Sequence, residues 1–172
     1  QNGYANGANV YQFGCHHGMN QQWTFTDPAV FTILSNGSNS KYCMDVSGGN
    51  SSERGVMQVL ECTGYLSSFE RNQRFRMDGD GRIKTMLDES MCLVVKKQGG
   101  SMQVGDKLGL ERCDLNRVEQ EWHYTEYSQL VPNIMESSSR PLCLDVEDEI
   151  YDGAGMVLKE CSSSSTQTWN KY

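Results

Sequence analysis

Cysteines and the residues beside them form the most regular chemical pattern in this sequence. A cysteine opens each of the segments Cys43–Val46, Cys92–Val95 and Cys143–Val146, and a second cysteine follows each segment, at positions 62, 113 and 161. Thiols at repeated spacings can form disulfides or bind a metal ion, and the carboxylates of Asp45 and Asp145 can accept strong hydrogen bonds. The chain has no Cys-x₂-Cys pair, so a metal site is the weaker interpretation of the cysteines.

The composition excludes several classes of protein. The length of 172 residues suits one domain, or one domain with a fragment. The mean hydropathy is −0.59, and no apolar run approaches the ~20 residues of a membrane-spanning helix, so we expect no membrane insertion. The net charge of −7 argues against a nucleic-acid partner. Seven cysteines indicate an oxidising compartment, and we expect a secreted protein or one of the secretory lumen.

A second motif repeats in step with the first. Gln-x-Trp occurs at Gln21–Trp23, Gln120–Trp122 and Gln167–Trp169, and Gln73–Phe75 is a fourth copy with Phe in place of Trp. The four aromatic residues are separated by 52, 47 and 47 residues, and all three tryptophans of the chain lie in this register. The chain therefore contains an internal repeat.

Between these motifs the sequence predicts short strands. The runs Phe31–Ser35, Val56–Glu61, Ile83–Leu87 and Met156–Lys159 are rich in β-forming residues and flanked by Gly, Ser, Asn or Asp, and no useful helical period occurs. Three units of about four short strands each predict an all-β structure with pseudo-threefold symmetry. Closure of such a sheet removes its open edges.

These motifs together resemble the ricin-B-type lectin family, a β-trefoil with (Gln-x-Trp)₃ repeats. Within that family, Cys15–Trp23 is most similar to the lectin modules of polypeptide GalNAc-transferases. The resemblance implies a β-trefoil over residues 30–172, with repeats at about 30–78, 79–125 and 126–172. It also implies a lectin without cofactor or catalysis that binds glycans or glycoproteins containing galactose or N-acetylgalactosamine.

Residues 1–29 hold the second half of a further repeat, with a predicted strand at Val10–Phe13, then Cys15 and Asn20–Trp23. We expect this segment to be the remnant of a preceding repeat in a longer lectin, or an extra hairpin that engages an upstream domain or a second chain. Cys15 is left without a partner among the repeats. We expect it to be a free thiol or to be joined to a second chain.

The resemblance implies one disulfide within each repeat, and the expected pairs are Cys43–Cys62, Cys92–Cys113 and Cys143–Cys161. A disulfide that closes a loop of this length stabilises a fold by roughly 3 kcal/mol in the chain-entropy model. For Gln-x-Trp we expect a structural role, because the indole can fill the core while the amide of Gln pairs with backbone groups. That motif then identifies the fold and not the ligand.

In the family, three groups bind the sugar. The Asp of Cys-x-Asp accepts hydrogen bonds from two neighbouring hydroxyls, an Asn before Gln-x-Trp supplies both a donor and an acceptor, and an aromatic ring two residues before the second cysteine covers the apolar face of the sugar.

The first complete repeat retains most of these groups. It has Asp45, and Gln58 lies four residues before the second cysteine, while Asn72 precedes Gln73. Leu60 occupies the aromatic position, so a stacking ring must come from Tyr65 or Phe69 or be absent. We expect a working sugar site at Asp45 and Asn72. The alternative is that Asp45 only caps a turn by bonding its own backbone.

The second repeat has Val94 in place of Asp and Glu119 in place of Asn, and we expect it to bind no sugar. The third repeat keeps Asp145 and Gln167, but Lys159 occupies its aromatic position. That site is doubtful, and turn capping by Asp145 is the favoured interpretation.

Other polar features predict no metal site. His16 and His17 are adjacent, and adjacent side chains of a strand point to opposite faces. The acidic stretch at 145–149 lacks the spacing of an EF-hand loop. Asn36 and Asn50 fit the N-glycosylation sequon, whose use depends on the source.

Two alternatives to a free lectin stay open at this point. The chain could be the carbohydrate-targeting module of a larger enzyme or toxin, which the half repeat before residue 30 favours. It could also be a degenerate β-trefoil that binds proteins, which Val94, Glu119 and Leu60 favour. The sequence shows no Ser/His/Asp arrangement, Walker loop, dinucleotide fingerprint or recognisable pair of catalytic carboxylates.

Overall fold

The computed structural model describes residues 31–34, 41–62, 71–135 and 138–171. These ranges contain twelve short strands, five 3₁₀ turns and no α-helix, and thus no helix suited to crossing a membrane. The strands are β1 Phe31–Leu34, β2 Lys41–Val46, β3 Met57–Glu61, β4 Phe75–Met77, β5 Ile83–Thr85, β6 Met91–Lys96, β7 Lys107–Arg112, β8 Trp122–Tyr124, β9 Leu130–Pro132, β10 Leu142–Val146, β11 Met156–Glu160 and β12 Asn170–Lys171. The 3₁₀ turns are Ser47–Gly49, Arg71–Gln73, Val118–Gln120, Asn133–Met135 and Ser165–Gln167.

The strands fall four to each predicted repeat, and the pairing repeats with them. The second and third strands of each repeat form an antiparallel hairpin, namely β2–β3, β6–β7 and β10–β11. The last strand of each repeat pairs with the first strand of the next, as in β4–β5 and β8–β9, and β12 pairs with β1. Because the last strand returns to the first, the three repeats form a closed ring.

The three hairpins also contact one another in cyclic order. In each, the same position of the third strand donates a backbone hydrogen bond to the hairpin of another repeat. The three bonds run from Val59 N to Ala154 O (2.9 Å), from Leu110 N to Gly55 O (3.1 Å) and from Leu158 N to Asp106 O (2.9 Å). This arrangement is the pseudo-threefold symmetry that the sequence predicts.

The aromatic residues of the repeated motif fill the core. Phe75, Trp122 and Trp169 are buried. The two indoles also satisfy buried carbonyls, because Trp122 Nε1 donates to Leu93 O and Trp169 Nε1 donates to Leu144 O, both at 3.2 Å. Phe75 carries no such donor. The aromatic positions are therefore structural.

The glutamines of the motif tie each 3₁₀ turn to the end of the preceding hairpin. Gln73 Nε2 donates to Glu61 O at 3.3 Å, and Gln120 Nε2 donates to Arg112 O at 2.8 Å. Gln167 makes the same contact with Glu160 O at 3.0 Å. This agrees with the structural role that we expect for Gln-x-Trp.

A disulfide stabilises each hairpin. It joins the second strand of the repeat to the residue that follows the third strand of the repeat. The bonds are Cys43–Cys62, Cys92–Cys113 and Cys143–Cys161, with Cα–Cα distances of 5.1, 5.0 and 4.9 Å. These are the three pairs that the resemblance implies.

Candidate functional site

The first repeat brings Asp45, Gln58 and Asn72 together. Asp45 on β2 lies directly opposite Gln58 on β3, and Gln58 Nε2 donates to Asp45 Oδ1 at 2.9 Å. Asn72 Nδ2 donates to Asp45 Oδ2 at 2.6 Å. Asp45 is fully buried, whereas Gln58 and Asn72 are half-buried. The arrangement is a carboxylate fixed beneath two amides that reach the surface.

Local structure explains why Asn72 reaches this carboxylate. Asn72 lies in the 3₁₀ turn Arg71–Gln73, and the hydrogen bond from Gln73 to Glu61 O holds that turn against the end of β3. Gln73 thus positions its neighbour. Tyr65 and Phe69, the candidates for a stacking ring, lie outside the described residues.

The second repeat places an apolar pair at the same two strand positions. Val94 is fully buried and lies opposite Gly109. A Cβ atom at residue 109 would lie 2.8 Å from Cε of Lys96, so the glycine makes room for this side chain. Lys96 Nζ donates to Leu110 O at 3.0 Å and to Glu111 Oε1 at 2.9 Å. No carboxylate or amide replaces the pair of the first repeat.

An ion-pair cluster takes the place of the remaining amide in the second repeat. Glu119, at the position of Asn72, pairs with Lys97 at 2.6 Å and with Arg117 at 3.2 Å. Arg117 also contacts Glu111 at 3.0 Å. The hydrogen bond from the Lys97 ammonium lowers the pKa of Glu119 despite partial burial of the carboxyl. These charges neutralise one another within the protein.

The third repeat keeps its carboxylate but engages it internally. Asp145 lies opposite Val157 and is 3% exposed. Its Oδ1 accepts from the backbone N–H of Val146 at 2.7 Å, and its Oδ2 accepts from Gln167 Nε2 at 2.9 Å. Lys159 Nζ lies 3.9 Å from the same Oδ2. Both carboxylate oxygens of Asp145 thus accept hydrogen bonds from within the third repeat.

Several candidates from the sequence lie outside the described residues, namely Cys15, His16, His17 and Asn36. Asn50 is exposed, and its Oδ1 accepts from Ser52 N at 3.1 Å. Within the described ranges, no group of three or more His, Cys, Asp or Glu side chains is placed to bind a metal ion.

Sequence reasoning identified Glu119 but not the basic residues that pair with the carboxylates of the second repeat. Lys96 and Lys97 directly follow the β6 run, and Arg117 lies two residues before Glu119. The available signal was Glu119 at the position of an amide, with the basic residues Lys96, Lys97 and Arg117 in the same repeat. The pairing itself depends on how β6, β7 and the following turn meet.

Comparison with known proteins identifies the fold. The model of the ricin-type beta-trefoil lectin domain matches residues 29–169, whereas no curated protein matches significantly. The beta-trefoil lectin of the Vibrio vulnificus hemolysin/cytolysin, with N-acetyl-D-lactosamine bound, is 21% identical, with a TM-score of 0.58 over 84% of this chain and 93% of that chain. The C-half of the earthworm R-type lectin, in complex with GalNAc, is 14% identical, with a TM-score of 0.59 over 84% of this chain and 98% of that chain.

A plant protein shows the same likeness. The structure is that of a non-toxic homologue of type II RIPs from Momordica charantia (bitter gourd), in complex with α-methyl-D-galactoside. It is 14% identical and has a TM-score of 0.64. The match covers 86% of this chain but only 48% of that chain. At these identities the neighbours establish a shared β-trefoil fold.

Proposed function

Because the chain belongs to the family of ricin-type β-trefoil lectin domains, we propose that it is a carbohydrate-binding module whose ligand site is in the first repeat. The observation that carries the proposal is the position of Asp45, which is held by hydrogen bonds from Gln58 and Asn72 at 2.9 and 2.6 Å. The second and third repeats do not reproduce this group.

The chemistry of these three side chains suits a ligand rich in hydroxyl groups. A carboxylate is a strong acceptor for hydroxyl hydrogens, and an amide both donates and accepts. Asp45 is fully buried and accepts from both amides, so it holds Gln58 and Asn72 in position before a ligand arrives, which lowers the entropic cost of binding. Burial of this carboxylate strengthens its hydrogen bonds, since fewer water molecules compete for it.

Galactose and N-acetylgalactosamine are the proposed sugars, in glycans or glycoproteins. The sequence resemblance supports this choice, as do the ligands named for the earthworm and bitter gourd proteins. Only one repeat presents the full group of side chains, so a single module is expected to bind weakly. Useful binding then depends on several sites engaging one glycan surface.

The proposed role is binding without catalysis. Family membership supports a non-catalytic domain. The three disulfides are typical of secreted proteins and of proteins in the secretory lumen, which is where such glycans occur.

A glycan array probed with the whole chain tests this proposal. We expect retention on glycans that end in galactose or N-acetylgalactosamine and none on glycans that end in glucose. A crystal soaked with methyl-α-D-galactoside is expected to show sugar beside Asp45 and none beside Val94. An array on which no glycan is bound would overturn the proposed function and favour a β-trefoil that binds proteins.

A further inference from the structure

The turn between the second and third repeats presents an aromatic ring to solvent. Tyr127 lies in the turn that joins β8 to β9 and is 72% exposed, more than any other aromatic side chain of the described ranges. The next residue, Ser128, has a φ of 59°. A non-glycine residue in this left-handed region is strained, and such strain clusters at functional sites.

The equivalent turn between the first and second repeats is built differently. There, Gly81 has a φ of 81° at the position of Ser128, and Asp80 takes the place of Tyr127. Both turns receive the same backbone hydrogen bond, from Trp122 N to Gly81 O at 2.9 Å and from Trp169 N to Ser128 O at 2.7 Å. The fold thus requires the turn but not the exposed ring.

A groove of about 410 Å³ lies beside Tyr127. It is lined by Tyr127, Gln129, Cys161, Ser162, Ser163 and Thr168. Gln129 Nε2 donates to Ser162 O at 2.7 Å, so the carbonyl oxygen of the Gln129 amide can accept a hydrogen bond from a ligand. Among the described residues, that oxygen and the hydroxyl of Ser163 have no hydrogen-bond partner. The groove therefore combines an aromatic face with polar groups able to bind hydroxyls.

The walls of this groove are fixed by the core of the third repeat. Cys161 is disulfide-bonded to Cys143. Ser162 N donates to Gln167 Oε1 at 2.7 Å, and the contact from Trp169 N holds the turn at Ser128. A ligand would meet groups that are already in position, and preorganisation lowers the cost of binding.

We propose that this groove is a second sugar-contacting site, which takes one pyranose ring of a glycan. The C–H face of the ring packs on Tyr127, where the negative face of the aromatic ring attracts weakly positive hydrogens. The hydroxyls of the sugar bond to Gln129 Oε1 and Ser163 Oγ. This inference rests on the proposed function, and it gives the third repeat a contact that Asp145 does not supply.

The corresponding groove between the first two repeats cannot take a sugar in this way. Arg82 occupies the position of Gln129 and is 3% exposed. It donates to Asp114 O at 3.0 Å and pairs with Asp80 and Glu121 at 2.9 and 3.3 Å. The arginine fills this groove with internal ion pairs, so of these two grooves the one beside Tyr127 is expected to bind.

The experiment is a titration of the ¹⁵N-labelled chain, followed by NMR, with N-acetyllactosamine, methyl-α-D-galactoside and methyl-α-D-glucoside. It uses the wild type and Asp45→Asn, each with and without Tyr127→Ala. We expect at least one probe to shift the amides of Ser128, Ser163 and Thr168, in the Asp45→Asn background as well. Tyr127→Ala should weaken this response by about fivefold.

Two further variants separate ring stacking from general damage. Tyr127→Phe retains the ring and should keep most of the response at the groove. Tyr151→Ala removes another exposed tyrosine, 54% exposed and outside the groove, and should leave the titration unchanged. The spectra of all variants report directly whether each is folded.

The outcomes distinguish this inference from the proposed function. Shifts confined to the surroundings of Asp45 would overturn the inference and leave the proposed function intact. Shifts confined to the groove would support the inference and overturn the assignment of Asp45. If no probe shifts any amide, both the groove and the site at Asp45 are refuted for these sugars.

Discussion

The first and second repeats place different chemistry on the same backbone. Asp45 opposite Gln58 corresponds to Val94 opposite Gly109, and both pairs lie in hairpins of the same register. In the first repeat, two polar side chains form a group that can contact a ligand. In the second, the apolar pair and the side chain of Lys96 fill that space. The comparison shows that the same hairpin accommodates either a polar or an apolar pair at these two positions.

Lys96 of the second repeat satisfies a strand carbonyl that a glycine of another hairpin satisfies in the first and third repeats. At two of the three contacts between hairpins, a glycine N–H donates to a carbonyl of the third strand, from Gly153 N to Val59 O and from Gly105 N to Leu158 O, both at 2.9 Å. In the second repeat, Lys96 Nζ donates to the corresponding Leu110 O at 3.0 Å within its own hairpin, and to Glu53 O of the first repeat at 3.3 Å. A side chain thus supplies a hydrogen bond that the backbone supplies elsewhere.

The largest expected effect is on sugar affinity, and it distinguishes Asp45 from Asp145. Asp45→Asn replaces the acceptor by an amide that faces the donors of Gln58 and Asn72, so affinity for methyl-α-D-galactoside should fall roughly tenfold or more. Asp145→Asn is the matched control and should change the affinity less than twofold. Isothermal titration calorimetry measures both. Equal losses in the two variants would contradict the assignment of the ligand site to the first repeat.

A smaller effect is expected on stability from Lys96. Lys96→Met retains the aliphatic stem but removes the hydrogen bonds to Leu110 O and Glu111, and we expect a loss of about 1 kcal/mol in the free energy of unfolding. Lys107→Met is the control, because Lys107 is 57% exposed in its pair with Glu147 and such surface pairs contribute little. Urea denaturation compares them. If Lys96→Met is as stable as Lys107→Met, the charge has no structural role.

The smallest effect is a pH dependence at Glu119. Its pKa lies below the ordinary value because Lys97 donates to the ionised carboxylate. The folded state therefore favours the charged form, so this contribution to stability is present above the ordinary pKa and is lost as the pH falls through the lowered pKa. The stability difference between wild type and Glu119→Gln should shrink between about pH 6 and about pH 3.

Urea denaturation at several pH values measures that difference. At about pH 6, high salt should also reduce the stability difference between wild type and Glu119→Gln, since ions screen partly exposed pairs. A difference that stays constant with pH would show that Glu119 contributes through packing or neutral hydrogen bonds alone.

Much of the fold could be predicted because the core requires it. The predicted strands at 31–35 and 83–87 correspond to β1 and β5, and those at 56–61 and 156–159 correspond to β3 and β11, with boundaries that agree within two residues. Regular spacing of buried aromatic residues leaves few ways to place four strands in each repeat. The half-cystines follow the same spacing, and the family resemblance implied the pairs that the structure contains.

The candidate site could be predicted only in part. The sequence places Asp45, Gln58 and Asn72 at positions that a ligand site needs, and the hairpin register brings them together. It could not show that Asp145 accepts from Val146 N, because that hydrogen bond depends on the local path of the backbone. The stacking residue of the first repeat stays a prediction.

The sequence by itself determined the repeat, the closed all-β architecture and the loss of the carboxylate at Val94, because these follow from residue type and spacing along the chain. Only the tertiary structure decided how Lys96 reaches Leu110 and how Tyr127 stands beside Gln129 and Ser163. These groups come from separate strands and turns, and they meet only when those strands and turns pack together. Local patterning fixes which face of a strand is buried, whereas contacts between side chains distant in the sequence arise only in the folded chain.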